Sequence, residues 1–168
     1  MFIYLKIKRY FYCELFDGVH SGHPIFVCGW GHSPMLSNIH SGRGVPWRDN
    51  DEILILVSSL HRMAELGLPF VFTDSHAYYQ WANFYADLGD LGRIDWPLLQ
   101  CRDFKRDADD LSKLERYQAE ALLHQHCPIE ALLGVVCYNE EIKNRVEQCM
   151  NRVGVARPVY VRDGWYFR

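Results

Sequence analysis

Several common signatures are missing from this chain of 168 residues. Its six cysteines, at 13, 28, 101, 127, 137 and 149, form no Cys-x-x-Cys pair, which excludes a zinc ribbon and a thioredoxin-like motif. There is no His-Glu-x-x-His, and no Gly-x-Gly-x-x-Gly follows a strand; Gly42-Arg43-Gly44 is only a loop signal. Cys127 precedes Pro128 without a second cysteine at deaminase spacing, so a zinc deaminase is excluded as well. Positive charge is not in excess: the formal net charge is −3, and any polyanion site must be a local patch. Residues 18–42 lack Asp, Glu, Lys and Arg, but four His and four Ser rule them out as a membrane span. The first nine residues are apolar and basic, yet they hold no uninterrupted apolar run of signal-peptide length.

What is present suits one globular domain. Apolar residues make up 49 % and aromatics 14 %, enough for a core with aromatic layers. An even cysteine count leaves disulfides open, but a chain with its own core and no secretory signal points to reduced thiols in the cytoplasm. Residues 53–57 are a continuous apolar run and predict a buried strand. A short helix over 58–66 closes at Gly67, and a second strand covers 69–72. Thr73-Asp74-Ser75 offers caps for a helix running to about residue 88, with Tyr78, Trp81, Ala82, Tyr85 and Leu88 on its core stripe. His76 and Tyr79 lie off that stripe, which leaves Tyr79 as the aromatic free to stack.

Asp95-Trp96-Pro97 starts a short helix, and residues 101–114 form a polar loop. Residues 119–123 continue as strand or helix, 132–138 as a strand, and Asn139 caps a helix that ends at Gly154. Residues 158–162 and 164–167 read as closing strands. Residues 1–31 carry six aromatics in the first sixteen positions and no clean period; only 25–28 suggests a strand there. The irregular alternation, without a repeat, predicts an α+β (mixed α/β) class rather than a doubly wound sheet.

Glu120 is the residue that carries most information. It stands where a charged segment turns apolar, and a carboxylate entering a core element is costly without a partner or a task. The plain alternative is a surface Glu at a strand end. His124-Gln125-His126 alternates as strand ligands do, but one such pair reads first as surface histidines, and no metal is expected. His76 could meet a ligand or make only local hydrogen bonds. Met35 could be a base contact or simply a core residue near a helix start.

Taken together, several motifs resemble the DarT family over residues 32–168. They are Ser33-Pro34-Met35-Leu36, the apolar run at 53–58, and Gly67-Leu68-Pro69-Phe70-Val71-Phe72-Thr73-Asp74-Ser75-His76-Ala77. Asp95-Trp96, Arg116-Tyr117-Gln118-Ala119-Glu120 and Gly164-Trp165-Tyr166-Phe167 follow in order. DarT proteins are bacterial toxins that ADP-ribosylate thymidine in single-stranded DNA, with NAD as co-substrate. The resemblance implies an ADP-ribosyltransferase-like fold of two small β-sheets and flanking helices. Glu120 matches the family's catalytic glutamate. A carboxylate on the ribose 2′-hydroxyl orients the sugar and stabilises the positive charge that builds when the nicotinamide bond breaks. The resemblance places DNA contacts at Ser33, Met35, His76, Tyr79 and Arg102, and a DarG-type antitoxin as partner. No membrane association is expected, and a monomer is the default.

The family begins with a strand bearing an NAD motif and a catalytic arginine that helps remove the thymine N3 proton. Residues 1–31 match neither, so no cofactor-binding residue is assigned, and this segment reads as an atypical, shortened or altered leader. The alternative to an active enzyme is therefore an inactive remnant that keeps only DNA or antitoxin binding.

Overall fold

The computed structural model describes residues 13–17, 24–28, 49–101, 103, 105–124 and 127–166. Two sheets organise them. The larger has strand order β1 (Cys13–Asp17), β2 (Pro24–Cys28), β3 (Ile55–Ser59), β7 (Gly134–Cys137) and β8 (Val159–Val161). The smaller places β4 (Phe70–Thr73) between β5 (Phe84–Tyr85) and β6 (Ala121–Leu123). All pairings are antiparallel except β7 with β8. The segment without a legible pattern thus supplies two strands: β1 pairs with β2, and β2 pairs with β3 from Ile25↔Ser59 to Cys28↔Leu56. β1 also touches β6, so the two sheets meet along that edge.

The regular elements follow their local chemistry. In α1 (Leu60–Glu65) the Ser59 hydroxyl accepts the Arg62 N–H at 3.0 Å, satisfying a first-turn donor. The helix stops at Gly67, whose φ of +63° is a conformation that disfavours a side chain. α4 (Glu140–Arg152) starts where Asn139 accepts the Ile142 N–H at 2.9 Å and ends at Gly154, with φ +70°. Its apolar side, Ile142, Val146 and Met150, packs on Leu56, Val135, Cys137 and Val159 of the larger sheet. The parallel β7–β8 contact needs Gly134, because a Cβ there would lie 2.9 Å from the Tyr160 ring and 3.0 Å from the Pro158 carbonyl. A second core joins Leu60, Phe72, Ile94, Ala119 and Ala121 beneath the smaller sheet. Aromatics and leucines from 88–99 complete it, including α2 (Trp96–Cys101).

Three expectations need correction. Residues 74–83 are turns and bends, followed by β5 and a 3-10 helix over Leu88–Arg93, in place of one long helix. The would-be caps bond elsewhere. The Asp74 carboxylate accepts both the Asn83 backbone N–H, at 3.1 Å, and the Asn83 side-chain amide, at 2.7 Å, folding the segment back on itself. Such local side-chain bonds compete directly with helix formation. The last expected strand is instead a 3-10 turn, Asp163–Trp165, after which the Tyr166 hydroxyl lies 3.1 Å from the carbonyls of Ile53 and Val136. Finally, part of the polar loop's end is helical, as α3 (Lys113–Arg116).

Candidate functional site

The residue just before β6 is Glu120. Its main chain extends the smaller sheet: its carbonyl accepts the Thr73 N–H at 2.8 Å, and its N–H donates to the Thr73 hydroxyl at 3.2 Å. Thr73 and Ser75 are buried with it. The Glu120 side chain is only 5 % exposed, which removes the surface-carboxylate alternative. Desolvation pushes its pKa up from the ordinary 4.5 to about 7, only partly offset by a hydrogen bond from the Ala77 N–H.

Opposite the carboxylate stands His76. Its Nδ1 lies 2.9 Å from Glu120 Oε1 and also accepts the Tyr78 N–H at 3.1 Å. The bond from Tyr78 occupies the lone pair of a neutral imidazole, and burial pulls the His76 pKa below 6.5. The short approach to Oε1 lacks the direction of a hydrogen bond; among the described residues that buried oxygen has no hydrogen-bond donor. An undonated buried acceptor costs roughly 1–3 kcal/mol. This one stands ready for a donor from outside the chain, such as a hydroxyl group.

The segment from Thr73 to Glu120 is held in place by charge. The Arg116 guanidinium donates to Asp95 at 3.0 Å and to both Asp110 oxygens at 3.0 and 2.6 Å, and also reaches the Ser112 hydroxyl. Paired this way, Asp110 titrates down at about 2. Lys113, buried, meets Asp103 at 2.7 Å. The Tyr117 hydroxyl accepts the Asp103 N–H and lies 2.9 Å from the Cys101 sulfur, with its own pKa raised to about 12 by burial. Three of these anchors, Lys113, Arg116 and Tyr117, lie within seven residues of Glu120, so the polar loop is tied to the element that carries the carboxylate.

Of the residues expected from sequence, the structure brings together Glu120 and His76, with Tyr79 next: the His76 and Tyr79 rings meet edge-on at 5.8 Å. Ser33, Met35 and Arg102 lie outside the described residues. Tyr79 is not the free aromatic. Trp81 stacks on it, with centroids 4.9 Å apart and planes within 6°, and the exposed aromatics here are Tyr78, Trp81 and Phe84, at 83 %, 63 % and 54 %. The core stripe expected in sequence fails at Tyr78 and Trp81 and holds at Tyr85 and Leu88, which pack on the core. Sequence reasoning also gave no site role to Asp74, Glu115 or Arg116. The Thr-Asp-Ser cluster at 73–75 was the available signal, since such residues form side-chain turns as readily as caps.

Among the described residues no group of three or more His, Cys, Asp or Glu could hold a metal ion, and no helix is long and apolar enough to cross a membrane. A groove of about 770 Å³ lies between α4 and β3, lined by residues such as Leu54, Leu56, Val146 and Met150. None of the residues around Glu120 lines it.

The chain is similar to proteins of known family and fold. A family described as "ssDNA thymidine ADP-ribosyltransferase, DarT" matches residues 30–167. A curated DNA ADP-ribosyl transferase of Escherichia coli O127:H6 (strain E2348/69 / EPEC) is 52 % identical over 163 residues, covering 89 % of this chain and 75 % of the relative. Among solved structures, Thermus sp. 2.9 DarT in complex with NAD+ superposes with a TM-score of 0.75 at 29 % identity, over 86 % of this chain and 72 % of that one. The same protein in complex with ADP-ribosylated single-stranded DNA also gives a TM-score of 0.75 at 29 % identity, over 86 % and 68 % of the two chains.

Proposed function

The chain belongs to the DarT family of single-stranded-DNA thymidine ADP-ribosyltransferases, and from that premise we propose that Glu120 is the catalytic residue of an NAD-dependent transfer of ADP-ribose to thymidine. NAD is the co-substrate and single-stranded DNA the acceptor. The observation that carries the assignment of Glu120 is its buried carboxylate oxygen, held beside His76 without a donor.

The chemistry suits that oxygen. NAD supplies an electrophilic ribose carbon and a nicotinamide leaving group that departs with the bonding electron pair. Glu120 accepts a hydrogen bond from a ribose hydroxyl, fixing the sugar and opposing the positive charge that grows on it. Because the site is desolvated, the interaction is much stronger than it would be in water. His76, neutral and next to the carboxylate, forms the wall between Glu120 and the aromatic segment, where the acceptor base would lie. By family resemblance the segment at 75–118 reads that base, with His76 nearest the carboxylate and Tyr79 behind it; Arg102, Ser33 and Met35 are further DNA contacts on the resemblance alone.

Activity is favoured over an inactive remnant by one observation: β1 and β2 pair into the larger sheet, and β1 touches β6 beside Glu120. Residues 1–31 remain an atypical segment in sequence, set against a DarT-like domain over 32–168. The chain acts as a toxin neutralised by a DarG-type antitoxin, a reading that rests on family membership; the reduced thiols expected of its cysteines point to the cytoplasm, and a monomer is the default.

The test is direct. The purified chain is incubated with NAD and a single-stranded oligonucleotide containing thymidine, and the product is weighed by mass spectrometry beside Glu120→Gln and an oligonucleotide without thymidine. Addition of one ADP-ribose only to the thymidine oligonucleotide, and only by the wild type, is expected. Modification that persists in Glu120→Gln removes Glu120 from the chemistry; no modification by folded wild type favours the remnant.

A further inference from the structure

Trp81 is a large aromatic side chain that the fold leaves 63 % exposed and yet holds still. One of its faces is covered by Tyr79, nearly coplanar at 4.9 Å. Its indole N–H donates to Glu115 Oε2 at 2.9 Å. Glu115 sits on α3, whose next residue, Arg116, is fixed by Asp95 and Asp110. The ring is therefore restrained in tilt and in azimuth, and its polar atom is already satisfied. An exposed indole oriented this way contributes nothing to the core that would explain the restraint.

The contacts run on to the reactive carboxylate. Tyr79 meets His76 edge-on at 5.8 Å, and His76 lies 2.9 Å from Glu120. Tyr78, more exposed still, also meets the His76 ring edge-on, with centroids 6.4 Å apart. A single strand presenting one base at Glu120 would lay a neighbouring base against this ladder. Aromatic faces stack any base, because every base has a π-face, and a ring that is already immobile loses little entropy in doing so.

We propose that Trp81, seated on Tyr79 and held by Glu115, is a stacking platform for a base adjacent to the thymine presented at Glu120. This rests on the DNA-modifying reading above. Trp81 positions the strand and takes no part in bond breaking. Tyr79 acts through it, as the underlying support, and Glu115 as the clamp that sets its plane.

The experiment compares Trp81→Ala and Trp81→Phe with the wild type on a thymidine oligonucleotide and on oligonucleotides with an abasic residue on either side of that thymidine. Trp81→Ala is expected to raise the KM for the oligonucleotide on the order of 10-fold, with the KM for NAD unchanged. Trp81→Phe keeps most of the wild-type value. One abasic neighbour imposes a similar penalty on the wild type and no further penalty on Trp81→Ala. An unchanged oligonucleotide KM in Trp81→Ala, or abasic and Ala penalties that simply multiply, overturns the platform. A second readout does not need the reaction or the Ala variant: oligonucleotide should quench wild-type tryptophan fluorescence more than that of Trp81→Phe, and equal quenching also overturns it. If the wild type modifies no oligonucleotide, the transferase reading fails, and the quenching difference still decides whether Trp81 stacks a base.

Discussion

The two halves of the molecule are built by different forces. Around α4 the larger sheet is closed by apolar contacts: Ile142, Val146 and Met150 against Leu56, Val135 and Val159. Between Thr73 and Glu120 the chain also packs on an apolar core, around Phe72, Ile94 and Ala119, but its loops are shaped by side-chain hydrogen bonds: Asp74 to Asn83, His76 to Tyr78, Trp81 to Glu115, Arg116 to Asp95 and Asp110. The first half tolerates exchange of one apolar group for another of like volume. In the second half each bond needs a particular pair, and it is there that a carboxylate with a raised pKa is held. The proposed function resides in the half whose geometry is the more specific and the less redundant.

If this contrast holds, changes in the two halves separate activity from stability. Glu120→Gln is expected to lower the transfer rate 100-fold or more, on the order of what loss of a preorganised electrostatic group costs. The same variant should melt no lower than wild type at pH 8, because it removes a desolvated charge; calorimetry and the transfer assay on one preparation check both. The converse is Ile142→Ala, under α4, which is expected to lower unfolding stability by about 2–4 kcal/mol in a urea titration. The folded fraction of that variant should keep its transfer rate.

The third expectation concerns pH. The folded carboxyl of Glu120 titrates at about 7 against 4.5 when solvated, so between those values the folded state holds a proton that the unfolded state has released. Its contribution favours folding below about pH 4.5 and is lost as pH rises to 7, amounting to about 3 kcal/mol. Wild type should therefore lose stability relative to Glu120→Gln over that window; parallel curves would show that the carboxylate is solvated. The smallest effect is expected at a cap. Asn139→Ala removes one bond to the Ile142 N–H and should cost about 1 kcal/mol, with no change in transfer rate.

The same contrast explains what was legible in the sequence. The run at 53–57 became β3, shifted to Ile55–Ser59; Gly67 and Gly154 ended their helices; and Asn139 began α4. In each case period or punctuation matched a local energy minimum. The helix expected at 74–88 failed because its cap Asp74, and His76 in what would be its first turn, found partners a few residues away that no periodicity encodes. With the helix went the assignment of inward and outward aromatics, so Trp81 was placed in the core and Tyr79 outside. The burial of Glu120 was legible from its place at a charged-to-apolar boundary, while its proposed role comes from the motif it ends. β1 was not legible, because an edge strand defined by its partner β2 leaves little pattern of its own.

The account stands most directly on the ionisation of Glu120. The measurement is kcat/KM for NAD across pH 5 to 9 with a saturating thymidine oligonucleotide, which reports groups on the enzyme not yet bound to NAD. If ionised Glu120 is the working form, as proposed, kcat/KM should rise tenfold per pH unit below about 7 and level off above it, while Glu120→Gln stays low and flat. A profile that is already level at pH 5, or a rise near pH 7 that survives in Glu120→Gln, would contradict the claim that a buried carboxylate at this position carries the chemistry.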